Sequence, residues 1–245
     1  MHARFYGPDA ERIDEVVELP SYEAEHLVRV LRLKPGAHVR VFNGRGAEFA
    51  GAVETVGRHG VRVRLHGSLD AQAEISVAVT LAQAVLKGDK MDDVIRDAVM
   101  MGVAVIQPTI TTRTEASVAS LRRGHRQERW QRIAVSAAKQ SGRAVVPDVR
   151  EPCAFKEAVE SLDAGRRGLM FVEPSAGGGV VSPGELAKPS NAATMLVGPE
   201  GGWTPEEISQ GSTCCQLVTL GARTLRADSV ALVAFAALLT LWKEL

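Results

Sequence analysis

Two glycine loops, each following a short apolar run, most tightly limit what this chain can fold into. The first lies in Leu196-Val197-Gly198-Pro199-Glu200-Gly201-Gly202-Trp203-Thr204-Pro205. The second lies in Leu220-Gly221-Ala222-Arg223-Thr224-Leu225-Arg226, ahead of an almost wholly apolar helix, Ser229 to Trp242. Thr194 to Val197 and Leu217 to Leu220 read as buried strands. Thr204 is placed to cap a helix, with Pro205 at its first position and Glu207 three residues after the cap. Two strand–loop–helix units of this kind put a ligand crevice at the carboxyl ends of strands in an α/β sheet.

Glycine lets the backbone approach a ligand closely. The first loop is not a phosphate cradle, because no Lys-Ser/Thr follows it and the G-x-G-x-x-G spacing is missing. A proline and an acid stand where phosphate would need donors. Such a loop suits a ligand with an adenine edge, a ribose and a positive centre. The plainer alternative is a tight strand-to-helix turn.

With 245 residues, 45% of them hydrophobic, the chain has a sizeable core in one large or two small domains. Its three cysteines give neither a disulfide framework nor a metal spacing, which points to a reducing cytoplasm. The polar, charged start does not read as a signal peptide, and the last helix is expected to be buried or at an interface, not in a membrane. The formal net charge is zero, but residues 113 to 143 carry eight basic side chains against two acidic ones.

The first 70 residues read as strands at 3 to 6 and 16 to 19, a helix from Pro20-Ser21 to about Arg32, and a three-stranded meander. The meander comprises His38 to Phe42, Ala47 to Val56 and Val61 to Leu65, with His59-Gly60 in its second turn. These features suggest a small β-barrel, with Gly67 to Glu74 as linker. From Ile75 strands and helices alternate. Strands are expected at Ile75 to Leu81, at Val103 to Ile106 (ended by Pro108) and at Gly168 to Val172. Helices are expected at Lys87 to Met101, 125 to 141 and 153 to 161, and a Gly/Pro loop at Glu173 to Gly184. The expected class is α/β, with domains at 1–70 and 75–245.

Gly198-Pro199-Glu200-Gly201-Gly202 followed by Leu220-Gly221-x-Arg223-x-Leu225-Arg226 resembles the C-terminal signature of the SPOUT methyltransferases. Arg4-Phe5, His26-Leu27-x-x-Val30-Leu31-Arg32, Lys87-Gly88-x-Lys90-Met91 and Gln140-Ser141-Gly142-Arg143 extend the resemblance along the whole chain. The match is closest to the bacterial 16S rRNA uracil-N3 methyltransferases, the ribosomal small subunit methyltransferase E family. The resemblance implies a C-terminal trefoil-knot domain with a mostly parallel sheet that binds S-adenosyl-L-methionine. It also implies a small N-terminal PUA-like β-barrel that binds RNA, a homodimer, and the RNA of the small ribosomal subunit as substrate. No membrane and no metal are implied. The departure is Ala227-Asp228-Ser229-Val230, where the family usually has Thr-Glu-Thr-Ala.

The cofactor residues implied are Glu173, Leu196, Gly198, Pro199, Glu200, Gly201, Leu220, Gly221, Arg223, Leu225 and Arg226. Uridine N3 is a poor nucleophile while protonated, so methyl transfer needs positioning and help with the proton. Arg226 is the expected stabiliser of a developing uracil oxyanion, with Glu200 as base or cofactor partner. The plainer reading of Arg226 is a helix-end ion pair with Asp228. Arg4, Arg32, Arg113, Arg126, Arg129, Arg132 and Arg143 are the expected RNA contacts. Trp203 is expected to staple the helix start and His26 to be structural. Two other readings stay open: another RNA base or a ribose 2′-hydroxyl as target, and a non-catalytic RNA-binding assembly factor.

Overall fold

The computed structural model describes residues 2–58, 60–162, 167–177 and 179–245. His59 of the expected turn and Gly178 of the expected loop lie outside the described residues. The chain divides into two compact units, residues 1–74 with 135–146, and residues 75–134 with 147–245.

In the first unit, β1 (Ala3–Tyr6), β2 (Val16–Glu18), β3 (His38–Phe42), β4 (Glu48–Gly57) and β5 (Gly60–Leu69) form one sheet in the order β1-β3-β4-β5-β2. All pairings are antiparallel except β1 with β3. Along β5, Val61, Val63 and Leu65 are buried while Arg62, Arg64 and His66 are exposed, the period-2 pattern of a sheet with one wet face. Phe5, Leu27, Val39, Val41, Phe49 and Val63 build the core beneath it. The strand runs to Leu69, so the expected linker is shorter than Gly67 to Glu74.

The helix expected to run from Ser21 to Arg32 breaks in two. α1 (Ser21–Glu25) passes into a π-turn, His26–Val30, in which Leu31 N–H donates to the His26 carbonyl. Arg32 then takes a left-handed φ of 53°. An extra residue per turn rotates the apolar face, so Leu27 is fully buried while Val28, Val30 and Leu31 stand exposed.

The second unit contains β6 (Ala78–Ala84), α2 (Lys90–Met100), β7 (Val105–Ile110), α3 (Val118–Arg123) and α4 (Arg126–Ser141), whose last residues belong to the first unit. Then come β8 (Asp148–Val149), β9 (Cys153–Ala154), α5 (Phe155–Glu160), β10 (Arg167–Phe171), a 3-10 turn at Pro183–Glu185 and β11 (Ala192–Val197). α6 (Pro205–Gly211), β12 (Cys215–Val218) and α7 (Ala227–Trp242) complete it. The sheet order is β12-β10-β11-β6-β7-β8, with β9 also on β7, and every pairing is parallel. The central strands β6 and β11 are buried almost end to end, as parallel strands covered on both faces are. The expected α/β class, a mostly parallel sheet beside a small N-terminal sheet, is the class observed.

Several elements depart from expectation: β8 and β9 are strands where none was expected, β6 and β12 are shifted from Ile75 to Leu81 and from Leu217 to Leu220, and α3 and β7 differ as well. α3, a single short helix capped by Ser117, has no counterpart among the expected helices. β7, expected to stop before Pro108, runs through it. Ala104 and Ile106 carbonyls accept from Asp148 and Arg150 N–H groups, so the even-numbered residues face the β8 side. β8 pairs with β7 only as far as Ile106 and β9 only from Thr109 onward, which leaves the donorless nitrogen of Pro108 in the gap between them.

Candidate active site

Parallel pairing aligns the carboxyl ends of β10, β11 and β12, with Phe171 beside Val197 and beside Val218. The residues after each strand surround a cavity of about 400 Å3. Phe171 to Pro174 form one wall, Gly198 to Glu200 with Gly202 and Trp203 a second, and Thr219, Leu220 and Arg223 to Asp228 a third. Lys90 and Val230 complete it.

The first loop is fixed from beneath and from the side. Trp203 Nε1 donates to the Phe171 carbonyl at 2.8 Å, and its ring lies 5.2 Å from that of Phe155. A Cβ on Gly198 would crowd this indole at 3.0 Å, so glycine lets the ring pass under the loop without shifting. Trp203 is therefore part of the cavity wall as well as the helix approach. Thr204 and Glu207 form the expected capping box: Glu207 N–H donates to Thr204 Oγ1 at 3.2 Å, and Thr204 N–H to Glu207 Oε2 at 2.9 Å. The other Glu207 oxygen accepts from Thr112 N–H at 2.8 Å, which ties the loop after β7 to the start of α6. From that loop Arg113 Nη1 donates to the Gly201 carbonyl at 2.6 Å.

Glu200 Oε1 accepts from Lys90 Nζ at 2.9 Å and from Lys87 N–H at 3.2 Å. Burial pushes its carboxyl up, but the Lys90 hydrogen bond and the backbone N–H groups together hold it below the ordinary carboxylate range. A carboxylate so stabilised is a weak proton acceptor, which argues against Glu200 as base and for it as a fixed charge. Arg226 holds Asp228 with two hydrogen bonds, Nε to Oδ1 at 3.1 Å and Nη2 to Oδ2 at 2.6 Å. This is the helix-end ion pair named as the plainer reading, and it sits in the cavity wall. The Arg226 hydrogen bond outweighs burial and lowers the Asp228 carboxyl.

Of the residues expected at a cofactor, Glu173, Gly198, Pro199, Glu200, Leu220, Arg223, Leu225 and Arg226 line the cavity. Leu196 is buried in β11 within the core cluster that Trp203 joins. Gly201 lies under Arg113, and Gly221 takes φ 91° in a turn. These three shape the walls without facing the cavity. Lys90, Phe171, Val172, Pro174, Thr219 and Asp228 line it without having been expected there. Their only signal in the sequence is position at strand ends or inside a quoted motif.

The expected RNA contacts separate into two groups. Arg4 and Arg143 are corrections. Arg4 holds both Glu48 oxygens and donates to the carbonyls of Ala138, Lys139 and Arg143, with its guanidinium 4.0 Å over the Phe42 ring. Arg143 is 5% exposed and paired with Glu74 at 2.5 Å. Both are committed to the fold of the first unit and present no free guanidinium to RNA. Arg129 is bonded to Asp92 and Asp89. Arg113 is a loop clamp. Arg32 and Arg132 are exposed and Arg126 half-buried. His26 packs edge-on to Phe5, as a structural residue does.

The cavity's residues fit S-adenosylmethionine. Phe171, Val172, Leu220 and Leu225 give the lining an apolar part suited to a base, and the carboxylates of Glu173, Glu200 and Asp228 suit a cationic ligand. The volume falls in the roughly 300–1,000 Å3 range of small-molecule sites.

The family profile of the RNA methyltransferase domain matches residues 73–239, and that of the RNA methyltransferase PUA domain matches residues 22–65. A ribosomal RNA small subunit methyltransferase E of Synechocystis is 35% identical over 91% of this chain and 73% of its own. The protein of that name from Bacillus subtilis is 26% identical over 91% of both chains. A crystal structure of a ribosomal RNA small subunit methyltransferase E from Neisseria gonorrhoeae, bound to S-adenosyl methionine, superposes with a TM-score of 0.90. It is 33% identical and covers 99% of this chain and 98% of its own. A methyltransferase from Legionella pneumophila, also with S-adenosylmethionine bound, reaches 0.89 at 28% identity over 98% of both chains. Fold and cavity thus define the class of RNA methyltransferases. Within that class, the chain belongs to the ribosomal RNA small subunit methyltransferase E family.

Proposed function

We propose that this protein methylates N3 of a uridine in the 16S rRNA of the small ribosomal subunit, with S-adenosyl-L-methionine as methyl donor. The observation that carries the reading is the cavity at the carboxyl ends of β10, β11 and β12, walled by both glycine loops in a chain of this family. When bound, the cofactor supplies an electrophilic methyl group on a sulfonium. Glu173, Glu200 and Asp228 favour its positive charge, the apolar wall takes its base, and the loop held by Arg113 and Trp203 keeps the pocket's shape. Arg226 stands in the wall with its side chain 77% exposed, and its donors not bonded to Asp228 are available to a uracil oxygen as charge develops there. Glu200 remains ionised and keeps Lys90 in place, and the N3 proton leaves by another acceptor, such as water.

A homodimer in the cytoplasm is part of this reading. On α7, Val233 and Leu241 are 39% and 47% exposed and lie eight residues apart on one face, with half-buried Ala237 between them. A second copy is the occupant proposed for that stripe. Among the described residues no helix is long and apolar enough to cross a membrane, and no group of three His, Cys, Asp or Glu residues stands ready for a metal ion.

Mass mapping of small-subunit RNA from cells with and without the protein tests the reading. The expected result is one methyluridine lost from 16S rRNA, with the methyl at N3. A lost 2′-O-methyl group, or unchanged RNA, overturns it.

A further inference from the structure

The cavity wall holds a second anchored cation besides Arg226. Lys90 lines it together with Glu200, Arg226 and Asp228. It opens α2 at the first helical position, where the macrodipole disfavours a positive side chain and favours acids such as Asp92 and Asp93. Helix stability therefore gives no reason for a lysine there. Nor does the need to hold Glu200, whose carboxylate also accepts from Lys87 N–H at 3.2 Å and so keeps a donor without Lys90. The Lys87 side chain is turned elsewhere, to Glu115 at 2.6 Å.

Lys90 spends one of its three N–H donors on Glu200, at 2.9 Å, and among the described residues no other group takes the remaining two. Its side chain is 38% exposed. Arg226 is built the same way, with two donors on Asp228 and the rest left over. The Arg226 hydrogen bond lowers the Asp228 carboxyl against burial and the Lys90 charge adds to it, so both cations act on one carboxylate. Glu173 and Arg223 are the other charged groups of the lining, and among the described residues no carboxylate holds Arg223.

We propose that Lys90 is a second donor to the substrate base: anchored by Glu200, it bonds one uracil carbonyl while Arg226 serves the other. The inference rests on the uridine-N3 reading and names a further group that makes N3 reactive. When the N3–H bond breaks, its electron pair stays on nitrogen and the proton passes to water. Nothing is oxidised or reduced. The charge left behind spreads over O2 and O4, the two oxygens that flank N3, and a positive donor on each stabilises it. The methyl donor is a cation and the base becomes an anion, so the wall needs both signs, and its carboxylate-anchored cations supply them. Cytosine has an amine in place of one of these oxygens. A cation would meet that amine donor to donor, so the same pair selects uracil.

The test follows single-turnover methyl transfer against pH, using the full-length protein, saturating S-adenosylmethionine and small subunits from cells that lack the protein. The parent rate should climb with pH and level off at a midpoint that the two cations lower. Lys90→Gln keeps a donor for Glu200 and loses the charge. It should be about tenfold slower at neutral pH, with its midpoint about one pH unit higher, and the gap should close at alkaline pH, where the base ionises unaided. Lys90→Arg restores a cation and should recover most of the rate. Calorimetric affinity for S-adenosylmethionine should be no weaker in either variant, since that ligand is itself a cation. A Lys90→Gln deficit that is the same at every pH, with or without weaker cofactor binding, overturns the proposal and leaves Lys90 a structural partner of Glu200. A normal rate at saturating subunits, with weaker and less salt-dependent RNA binding, also overturns it and assigns Lys90 to a phosphate. A methyl group mapped to an atom other than uridine N3 fails the uridine reading itself, and the mapped product tells that failure from the other two.

Discussion

Arg113 donates to the carbonyl of Gly201 across 88 positions of sequence, and its side chain covers the spot a Gly201 Cβ would need. A basic residue in a basic segment therefore serves as the outer clamp of the first glycine loop. Arg113→Ala removes one charge-assisted hydrogen bond at an exposed site, worth about 1 kcal/mol, so cofactor affinity should fall roughly fivefold. Isothermal titration with S-adenosylmethionine checks this. Unchanged affinity would mean that Trp203 and Glu207 suffice to hold the loop.

The two loop glycines should fail differently. Gly198→Val drives a branched side chain into the Trp203 indole, an overpacking that costs about 1–3 kcal/mol. It should lower the melting temperature, shift tryptophan emission and abolish cofactor binding. At Gly221 nothing lies within 4 Å of the added Cβ, but φ is 91°. Gly221→Val should therefore strain the second loop and weaken the cofactor without a change in Trp203 emission.

Arg226→Ala should leave RNA and cofactor affinities nearly intact and lower the single-turnover methyl-transfer rate, because its contact matters mostly as charge develops. Asp228→Asn frees the same guanidinium without removing it. If Arg226 acts on the base, the Asn variant keeps most of the rate. Equal losses in both variants would assign the pair to shaping the wall.

Arg126, Arg129 and Arg132 look equivalent in sequence and are not. Arg129→Glu breaks its bond to Asp92, which is 4% exposed, and leaves that carboxylate facing a like charge, so it should destabilise the fold. Arg126→Glu with Arg132→Glu should melt like the parent. If α4 contacts RNA, this pair weakens binding and flattens its salt dependence. Thermal melts and anisotropy separate the two outcomes.

Glu244 near the end of the chain accepts from Ser76 N–H at 2.9 Å, Lys188 Nζ at 2.6 Å and the Ser76 hydroxyl. Its carboxyl is lowered to about 2, first by the Lys188 hydrogen bond and then by those from Ser76. A depressed carboxyl stabilises the fold above its ordinary value of 4.5, and that contribution fades as pH falls towards 2. Glu244→Gln should lower the melting temperature at neutral pH, and the gap to the parent should shrink below pH 4.5. A constant gap across that range refutes the assignment.

Local chemistry was legible in the sequence and register was not. The Thr204–Glu207 box, the strand before the first glycine loop and α7 follow from neighbours within a few residues, whereas β12 lies two residues ahead of its expected place. The pairing of β6 with β11, Gln83 opposite Val197, brings Lys87 and Lys90 to Glu200, and no spacing in the sequence encodes it. Arg4 misled because a lone arginine at the head of a strand carries no mark of the helix-end carbonyls it will hold. The π-turn was hidden because Ala24, Leu27, Val28 and Leu31 satisfy ordinary helical spacing, and only the buried core decides which of them turns outward.

Pro108 has a consequence for how the molecule behaves in a crowded solution. A sheet border with a continuous row of free amides and carbonyls invites strands from other molecules to join it. Here the border beyond β7 is made of two-residue pieces, β8 and β9, parted where Pro108 has no amide to give. A visiting strand would find two short footholds out of step with each other. The same proline that breaks the sequence pattern of β7 thus helps keep neighbouring copies from growing onto this side of the sheet.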